Sequence, residues 1–372
     1  MIKKVCHITN VHDNNDNRVF YKECCSLAKA GYDVFLLAKG ESREQDKVHV
    51  IGFGDKYKSR KQRSFDFVND LYKKALKLDA DIYHLHDPEL LRIALKLKRK
   101  GKKVIFDSHE NYTAQILLKD YIPKCLRKGI SKLYHLYETH VVRNIDAVIF
   151  PCTINGKNIF DGRSKATFFV GNEPRLEEFD ASMEPDLSSN NVIYVGTLSW
   201  ARGIKELVQG TYQAGMKLIL AGEYPDRSFM NEIMTMPEYE CVEFHGLVDH
   251  KEIPALLSRA AIGACLLKNV GQYYGADNLP TKVYEYMAAG IPCLLYDSNY
   301  IKYTLIDYPF GLCVNPDSSE EIAEALRKIG SDLKLKENMS KIGKTASVER
   351  FNWRYSEEKL LSLYKSFEKG TK

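Results

Sequence analysis

Short apolar runs alternate with longer amphipathic stretches through the first 170 residues of the chain. Brief runs rich in Val, Ile and Leu are typical of strands in a buried parallel sheet, and the stretches between them carry apolar residues at helical spacing. This pattern predicts strands at 5–8, 34–38, 48–53, 82–85, 104–106, 147–150 and 167–170, with helices near 18–31, 65–78, 88–100, 122–144 and 154–161.

The alternation stops and then restarts in the second half of the chain. Residues 173–191 are acidic and polar, contain two prolines and have little apolar periodicity, which is typical of a linker. Strands are then predicted at 192–196, 217–221, 241–245, 262–266 and 292–296, with helices near 203–214, 250–260, 281–289, 318–329 and 354–368.

Two βα series separated by a linker predict an α/β protein with two Rossmann-like domains that face one another across a cleft. The N-terminal domain is expected at 1–172 and the C-terminal domain at 192–353, and a length of 372 residues fits two domains. Ligands of such sheets bind beyond the carboxyl ends of the strands. Residues that directly follow strands are therefore the functional candidates.

The net charge of +5 hides an asymmetry between the halves. Residues 1–172 carry 32 basic and 20 acidic side chains, a net charge of +12, whereas the remainder carries 22 and 29, a net charge of −7. We expect the two halves to face different partners.

Several classes of protein are not expected from the composition. The chain has no apolar run of about 18 residues, and its N-terminus lacks the features of a signal peptide. Its nine cysteines include no Cys-x-x-Cys pair and lie mostly among aliphatic residues, which predicts buried thiols in a reducing compartment. A cytoplasmic protein is expected.

The turn at 195–203 follows the first strand of the second half and leads into a helix. Gly196 lies in this turn, whose free backbone N–H groups suit an anion, and Arg202 adds a forked cation suited to phosphate. An ordinary strand–turn–helix connection with a solvated arginine explains the turn equally well, so both interpretations stay open.

The segment 275–290 carries a stronger signal for a ligand site. Asn278 or Thr281 could cap a helix that follows Pro280 and ends at Gly290.

Lys282 and Glu285 share one face of this helix close to its N-terminus. A carboxylate there suits two ribose hydroxyls, and the lysine could reach a phosphate. A surface ion pair explains the charges poorly, because Tyr284, Tyr286 and Met287 make the helix apolar on most sides.

The same segment resembles the nucleotide-sugar motif of the family 4 glycosyltransferases, a Glu-x7-Glu pair that accompanies an Ala- or Tyr-Met-Ala-x-Gly helix in the GT-B fold. The resemblance implies that Glu285 binds the ribose and that Asp277, at the first acidic position, lies near the donor sugar. Arg202 falls where the family has a basic residue on the donor diphosphate. Thr197 stands where many members have a second arginine, so Lys282 is expected to supply the other cation.

The resemblance covers nearly the whole chain, through segments 83–87, 106–110, 170–174 and 244–248 and a final aromatic helix. It implies that this helix, within 354–372, crosses back onto the N-terminal domain, and that the loop 246–248 contacts the base. The residues expected to bind the donor are Gly196, Arg202, Gly246, Leu247, Val248, Asn278, Leu279, Thr281, Lys282 and Glu285.

His109 and Asp277 are the candidate catalytic residues. His109 follows a strand of the N-terminal half, and the resemblance implies a place beside the transferred sugar, where an imidazole could bind a hydroxyl or the leaving group. The alternative is a half-buried histidine held by Asp107 or Glu110.

The sequence His84-Leu85-His86-Asp87 could form a metal site, because alternate strand residues share a face. No second acid-rich ligand set is evident, and the resemblance implies a metal-independent enzyme, so a structural role is favoured and no metal or cofactor is expected. Asp79-Ala80-Asp81 precedes its strand and is interpreted as a loop.

The loop 12–18 follows the first strand and lacks the Gly-Gly pair that many family members have there. Asp16 and Arg18 could contact acceptor or phosphate, but helix capping by Asn17 or Asp16 is equally plausible.

Two basic segments, 56–63 and 116–128, place cations beside apolar or aromatic residues. Such surfaces suit an anionic membrane face. For the helix at 65–78 packing on its own sheet is favoured, whereas 116–128 is predicted to bind a membrane or an acceptor.

These features and the resemblance predict a glycosyltransferase that moves a sugar from UDP or GDP to a glycan or polyprenyl-linked acceptor in cell-surface polysaccharide synthesis. The resemblance implies that the transfer retains anomeric configuration. It is expected at the cytoplasmic face of the inner membrane, without nucleic acid as a partner. The alternatives are a sugar-nucleotide epimerase of the same architecture and a nucleic-acid-binding protein that uses the basic half.

Overall fold

The computed structural model describes residues 3–55, 59–109, 111–119, 121–178, 184–249, 252–270 and 274–369. Parts of five predicted segments lie outside these ranges, namely the basic segments 56–63 and 116–128, the linker 173–191, the helix near 250–260 and the final segment 354–372, as does Glu110. The chain divides into two compact units, residues 1–172 with 353–372 (unit 1) and residues 173–352 (unit 2).

Unit 1 contains one eight-stranded sheet of order β3-β4-β2-β1-β5-β6-β7-β8, which is parallel except for the β3–β4 pair. Every residue of β5 and β7 is buried, as expected for apolar runs in a sheet covered on both faces. The strands are β1 (Lys4–Asp13), β2 (Asp33–Lys39), β3 (Arg43–Gln45), β4 (Val48–Gly52), β5 (Ile82–Leu85), β6 (Lys103–Asp107), β7 (Ala147–Phe150) and β8 (Thr167–Phe169).

Helices cover both faces of this sheet. They are α1 (Cys25–Lys29), α2 (Arg60–Gln62), α3 (Val68–Leu78), α4 (Leu91–Arg99), α5 (Tyr112–Ile116) and α6 (Lys124–Asn144). A π-helical segment, Asn17–Cys24, continues into α1, a second, Arg63–Phe67, leads into α3, and a 3-10 turn, Pro88–Leu90, precedes α4. The predicted helix at 154–161 is wrong, since Asn155 and Gly156 take positive φ angles in a turn.

Unit 2 contains a six-stranded parallel sheet of order β11-β10-β9-β12-β13-β14. Its strands are β9 (Asn191–Val195), β10 (Lys217–Ala221), β11 (Val242–Gly246), β12 (Ile262–Cys265), β13 (Cys293–Tyr296) and β14 (Gly311–Val314). Its helices are α7 (Ile204–Gln213), α8 (Arg227–Met234), α9 (Ile253–Leu257), α10 (Thr281–Ala289), α11 (Asn299–Asp307), α12 (Ser319–Gly330) and α13 (Leu333–Glu349). The predicted α/β fold with two parallel-rich sheets is confirmed.

The last helix, α14 (Trp353–Lys369), belongs to unit 1. The Trp353 indole N–H donates to the Ser26 hydroxyl at 3.0 Å, and the Tyr32 hydroxyl donates to Glu368 at 2.8 Å. The predicted return of the final helix to the N-terminal half is therefore confirmed. Among the described helices, none is both long and apolar enough to cross a membrane.

Candidate functional site

Three adjacent strands of unit 2 end in or directly before a glycine. Gly196 follows β9, Gly222 follows β10 and Gly246 ends β11. The Gly222 N–H donates to the Gly246 carbonyl at 2.7 Å, and a Cβ on Gly222 would overlap the Gly196 carbonyl. These strand ends therefore approach one another through bare backbone at the carboxyl edge of the sheet, the position at which parallel sheets bind ligands.

Lys282 lies in the first turn of α10 and points into this edge. Its side chain is buried, and its Nζ lies 3.5 Å from the centroid of the Tyr194 ring. A Cβ on Gly196 would lie 3.0 Å from the same Nζ, so the missing side chain gives the amine its space. The pKa of the amine is lowered to about 7, chiefly by burial; the Arg202 charge acts in the same direction, and Cys265 and Glu285 oppose both.

The predicted trio of Arg202, Lys282 and Glu285 is thus close enough to interact electrostatically. Arg202 ends the 3-10 turn Trp200–Arg202, and Gly203 follows with φ 66°. A side chain on Gly203 would also overlap the Leu266 carbonyl, so both the backbone conformation and the available space favour glycine there. Glu285 is half-buried one turn of α10 after Lys282. A fully solvated arginine does not explain this grouping.

The loop before α10 is only partly as predicted. Asp277 and Asn278 are half-buried and Thr281 is exposed. Pro280 occupies the N-cap position without a side-chain bond, so the predicted capping by Asn278 or Thr281 is wrong. The Leu279 side chain is buried in the core, and its backbone N–H donates to the Tyr284 hydroxyl at 3.2 Å, so this side chain supports the loop and does not line a site.

The loop after β11 presents a different surface. Gly246 has φ 66°, Leu247 is 80% exposed, and Val248 packs partly against the core of unit 2. The exposed leucine is available to a flat apolar group, and residues 250 and 251 lie outside the described part of the chain.

Unit 1 has a cavity of about 580 Å³ at the carboxyl ends of β1, β5 and β6. His109 lines it, together with other residues that directly follow these strands. This is the position at which parallel sheets bind ligands.

His109 is a neutral imidazole with a free nitrogen. Its Nε2 lies 3.6 Å from the Asp107 carboxylate, too far for a hydrogen bond, and has no hydrogen-bond partner among the described residues. Burial lowers the pKa of the ring to about 4. Asp107 is itself engaged by Arg18, at 3.0 and 3.1 Å, so the interpretation that Asp107 simply holds His109 is not supported.

Arg18 and Asp16 have structural roles. Arg18 is buried and also donates to the carbonyls of Val170 and Gly171, so it holds two strand ends in place and does not face a ligand. Asp16 caps the segment Asn17–Cys24 by accepting from the Val19 N–H at 2.9 Å. Of the two roles considered for Asp16, the structure shows the cap.

His12, in the same loop, is a cation that no local sequence pattern predicted. Its Nδ1 lies 3.0 Å from Asp16 and its Nε2 lies 3.6 Å from Asp87. Burial opposes a charge on His12, but these two carboxylates raise its pKa to about 9.

Two family models match the chain. The model described as "Glycosyl transferases group 1" matches residues 177–346, and the model described as "Glycosyltransferase Family 4" matches residues 17–158. The chain belongs to the family 4 glycosyltransferases. A search of curated proteins returns no match.

Solved structures similar to this glycosyltransferase cover nearly all of it. Sucrose-phosphate synthase from Thermosynechococcus elongatus aligns over 99% of this chain and 100% of its own, with 17% identity and a TM-score of 0.77. HepE of Anabaena, solved with UDP and glucose, aligns over 98% and 100% at 14% identity, TM-score 0.72. WaaG, a glycosyltransferase involved in lipopolysaccharide biosynthesis, aligns over 96% and 98% at 12% identity, TM-score 0.67. At these identities the likeness shows the GT-B fold alone.

The glycosyltransferase also contains a buried group of ligand-type side chains. His7, Glu23, His84 and His86 bring one nitrogen or oxygen atom each within 4.8 Å of one another, and His86, Asp107 and His109 form a second such group.

Three ring nitrogens of the four-residue group already have partners. His7 Nδ1 lies 2.8 Å from His86 Nε2, and His84 Nδ1 lies 2.9 Å from the Tyr364 hydroxyl of α14. The Arg18 guanidinium lies 3.1 Å from Glu23, and its charge opposes a divalent cation there. We interpret the group as a hydrogen-bonded core of unit 1. The expected absence of a metal site stays a prediction.

The other acidic candidate lies at the opposite end of the sheet. Asp81 accepts hydrogen bonds from the Lys3 and Lys4 N–H groups at 3.0 Å, and Asp79 pairs with Lys102 at 2.8 Å. Both carboxylates are therefore at the amino ends of the strands, which agrees with the interpretation of this segment as a loop.

Proposed function

We propose that this glycosyltransferase moves a sugar, with retention of anomeric configuration, from a UDP or GDP donor to a hydroxyl of a glycan or polyprenyl-linked acceptor. The observation that carries the proposal is the grouping of Arg202, Lys282 and Glu285 at the carboxyl edge of the unit 2 sheet. A diphosphate offers the negative charge that two such cations need, and a ribose offers the hydroxyls that suit Glu285.

Each residue then has a defined part in the chemistry. Arg202 and Lys282 stabilise the charge that develops on the leaving diphosphate, which is the largest demand of this reaction. Asp277 in unit 2 and His109 in unit 1 are assigned to the transferred sugar, and the loop 246–248 to the base. As a neutral ring, His109 can bind a hydroxyl without opposing the positive charge that develops on the sugar.

The donor assignment is tested by calorimetry with UDP, GDP and their sugars. We expect one nucleotide to bind, and Arg202→Ala and Glu285→Ala each to weaken it about tenfold or more, which corresponds to about 1.4 kcal/mol. Arg227→Ala, an exposed arginine of the same unit, is the matched control. Unchanged affinity in both site variants contradicts the assignment, and conversion of the donor without an acceptor indicates the epimerase.

Unit 1 also carries an apolar face without a partner among the described residues, and we assign it to a membrane. Leu126, Ile130, Leu133 and Tyr137 recur at helical spacing along α6 and are all exposed, with Leu133 at 68%. The predicted membrane segment 116–128 is continuous with this face. The exposed lysines nearby are Lys124, Lys128 and Lys132.

An apolar stripe flanked by lysines suits the interface of an anionic bilayer. This supports a location at the cytoplasmic face of the inner membrane, where a polyprenyl-linked acceptor would be found, and a role in the synthesis of a capsule, lipopolysaccharide or exopolysaccharide.

Sedimentation with vesicles that contain anionic phospholipid tests this assignment. We expect the wild type to sediment and Leu133→Glu to stay in solution, because a carboxylate replaces an exposed apolar contact. Ile306→Glu, an equally exposed position of unit 2, should behave as the wild type. If Leu133→Glu instead dissociates a dimer in light scattering and no variant sediments, the face is a protein interface.

A further inference from the structure

The cavity of unit 1 is lined by buried polar atoms that lack partners. Arg63 Nε, His86 Nδ1, Glu89 Oε2 and His109 Nε2 are buried and have no hydrogen-bond partner among the described residues. All four residues line the same cavity of about 580 Å³. Because a buried polar atom without a partner costs about 1–3 kcal/mol, such a cluster indicates a polar ligand that satisfies it.

The charges around the cavity are not balanced. His12 faces two carboxylates, and Asp107 is paired with Arg18. Arg63 and Lys119 remain, and no described residue forms an ion pair with either of them. Both lie close enough to Glu89 to lower its pKa, although burial is the stronger influence and raises it. Three carboxyl groups line the cavity, and two of them, Asp87 and Asp107, already face His12 and Arg18. Arg63 and Lys119 therefore lie near only one further carboxyl group, Glu89, whose pKa is raised by burial.

Aromatic rings complete the lining. Lys119 Nζ lies 4.1 Å from the centroid of Tyr112 and 5.9 Å from that of Tyr121, and both rings border the cavity. Tyrosine rings beside hydrogen-bonding groups suit a sugar, whose ring has an apolar face and a polar rim. The volume falls within the roughly 300–1,000 Å³ of small-ligand sites and admits one or two sugar rings.

We propose that this cavity binds an acceptor sugar that carries a negatively charged group, with Arg63 and Lys119 on the anion and Glu89 on a hydroxyl, beside His109, which is assigned to the transferred sugar. The proposal rests on the proposed function, since it identifies the class of acceptor. The anion is either the carboxylate of an acidic sugar or a phosphate attached to the sugar.

Binding is measured on the full chain by saturation-transfer NMR, with UDP present in excess to occupy the donor site. The probes are methyl glucuronide, glucose 1-phosphate and the neutral methyl glucoside. We expect at least one anionic probe to bind about tenfold more tightly than the neutral one, because a charge-assisted hydrogen bond contributes about 1.5–3 kcal/mol. Preference between the two anionic probes distinguishes a carboxylate from a phosphate.

Substitutions in the cavity lining test which residues cause the preference for an anionic probe. Arg63→Gln and Lys119→Gln should each remove most of the preference for the anion while the neutral sugar binds as before. Lys77→Gln, an exposed lysine on α3, is the matched control. Two independent site variants keep the test valid if one of them fails to fold.

Three results would overturn the proposal: equal binding of neutral and anionic probes, no binding of either anionic probe at tens of millimolar, or an unchanged preference in both site variants. UDP affinity, measured by calorimetry on the same samples, separates this failure from a failure of the donor assignment, because Arg63 and Lys119 belong to unit 1 and the donor residues to unit 2.

Discussion

At the scale of single residues, Lys282 shows how burial tunes a charge for its ligand. The amine is enclosed by α10, Tyr194 and Gly196, and burial lowers its pKa to about 7. Near neutral pH the empty site therefore holds the lysine close to half protonated. A diphosphate favours the charged form and should raise this pKa on binding.

This pKa predicts how donor affinity depends on pH. Below pH 7 the lysine is already charged, so affinity should be nearly constant, whereas above pH 7 binding must take up a proton and affinity should fall by up to about tenfold per pH unit. A nucleotide sugar is the best ligand for this measurement, because its diester phosphates do not titrate in this range. Calorimetry from pH 6 to pH 9 in buffers of different ionisation enthalpy measures both the affinity and the proton uptake.

Lys282→Met is the informative variant for the same experiment. It should bind the donor more weakly at pH 6 and show a flat pH profile. A wild-type profile that is also flat, or a variant that keeps the slope, would mean that Lys282 does not meet the diphosphate.

At the scale of elements, the ends of β9, β10 and β11 depend on glycine. Gly222 has φ 147° and lies against the Gly196 carbonyl, so a methyl group there must push two strands apart. Gly215 also has a positive φ, of 69°, but a side chain there would meet open space. A side chain is therefore strained by the backbone conformation at both positions, but it meets a steric overlap only at Gly222.

We expect Gly222→Ala to lower the free energy of unfolding by more than about 2 kcal/mol and to abolish donor binding, because both strain and overlap act there. Gly215→Ala should cost only about 1 kcal/mol and leave binding intact. Denaturant unfolding and calorimetry provide the two measurements. An equal loss of unfolding free energy in both variants would show that the strands move apart at little cost and that the overlap with Gly196 is unimportant.

A second element-level feature is the histidine-rich core that joins β1, β5, Asn17–Cys24 and α14. Two nitrogen ligands of one zinc ion at 2.0–2.1 Å lie roughly 3.4 Å apart, whereas His7 Nδ1 and His86 Nε2 are 2.8 Å apart, as in a hydrogen bond. Burial also raises the pKa of Glu23, with Asp107 adding to the effect, so the carboxyl group favours its neutral form.

We therefore predict that dialysis against a chelator changes neither the melting temperature nor the transferase activity. Elemental analysis of the protein as purified should find less than a stoichiometric amount of any transition metal. One equivalent of zinc or iron, with a lower melting temperature after its removal, would identify His7, Glu23, His84 and His86 as ligands.

The sequence predicted strands better than it predicted the later helices of unit 2. The runs at 82–85 and 147–150 are apolar throughout and match buried strands. By contrast, α8, α11 and α13 were missed. The 17 residues of α13 include three glycine, serine or threonine positions that are buried against α10 and α12, so packing between helices, not apolar periodicity, defines this element.

The candidate site was likewise predicted only in part from the sequence. Lys282 and Glu285 are neighbours on one helix, so their spacing was enough to pair them. Arg63 and Glu89 come from different turns, and nothing in either local sequence marks them as lining one cavity. The pattern Asp-Pro-Glu at 87–89 after a strand is the one local signal that could have found Glu89.

At the scale of the whole molecule, the charge is divided between the first 172 residues and the rest of the chain. Residues 1–172 carry a net +12 and the rest of the chain −7, and the exposed lysines beside the apolar face of α6 belong to the basic part. If this distribution directs membrane binding, the position of a charge should affect membrane affinity more than the net charge of the protein does. Lys328, Lys334 and Lys341 are equally exposed lysines of unit 2 and allow that comparison.

The test uses two triple variants with the same net charge. Replacing Lys124, Lys128 and Lys132 by glutamine should weaken binding to anionic vesicles at low ionic strength by up to about 3 kcal/mol, since each cation near the surface contributes about 1 kcal/mol. Replacing Lys328, Lys334 and Lys341 should have little effect. Raising the salt shortens the Debye length to about 8 Å at 0.15 M, so the difference between the variants should shrink while the apolar contribution of Leu133 persists. Equal losses in both triple variants would show that total charge, and not the face of α6, controls binding.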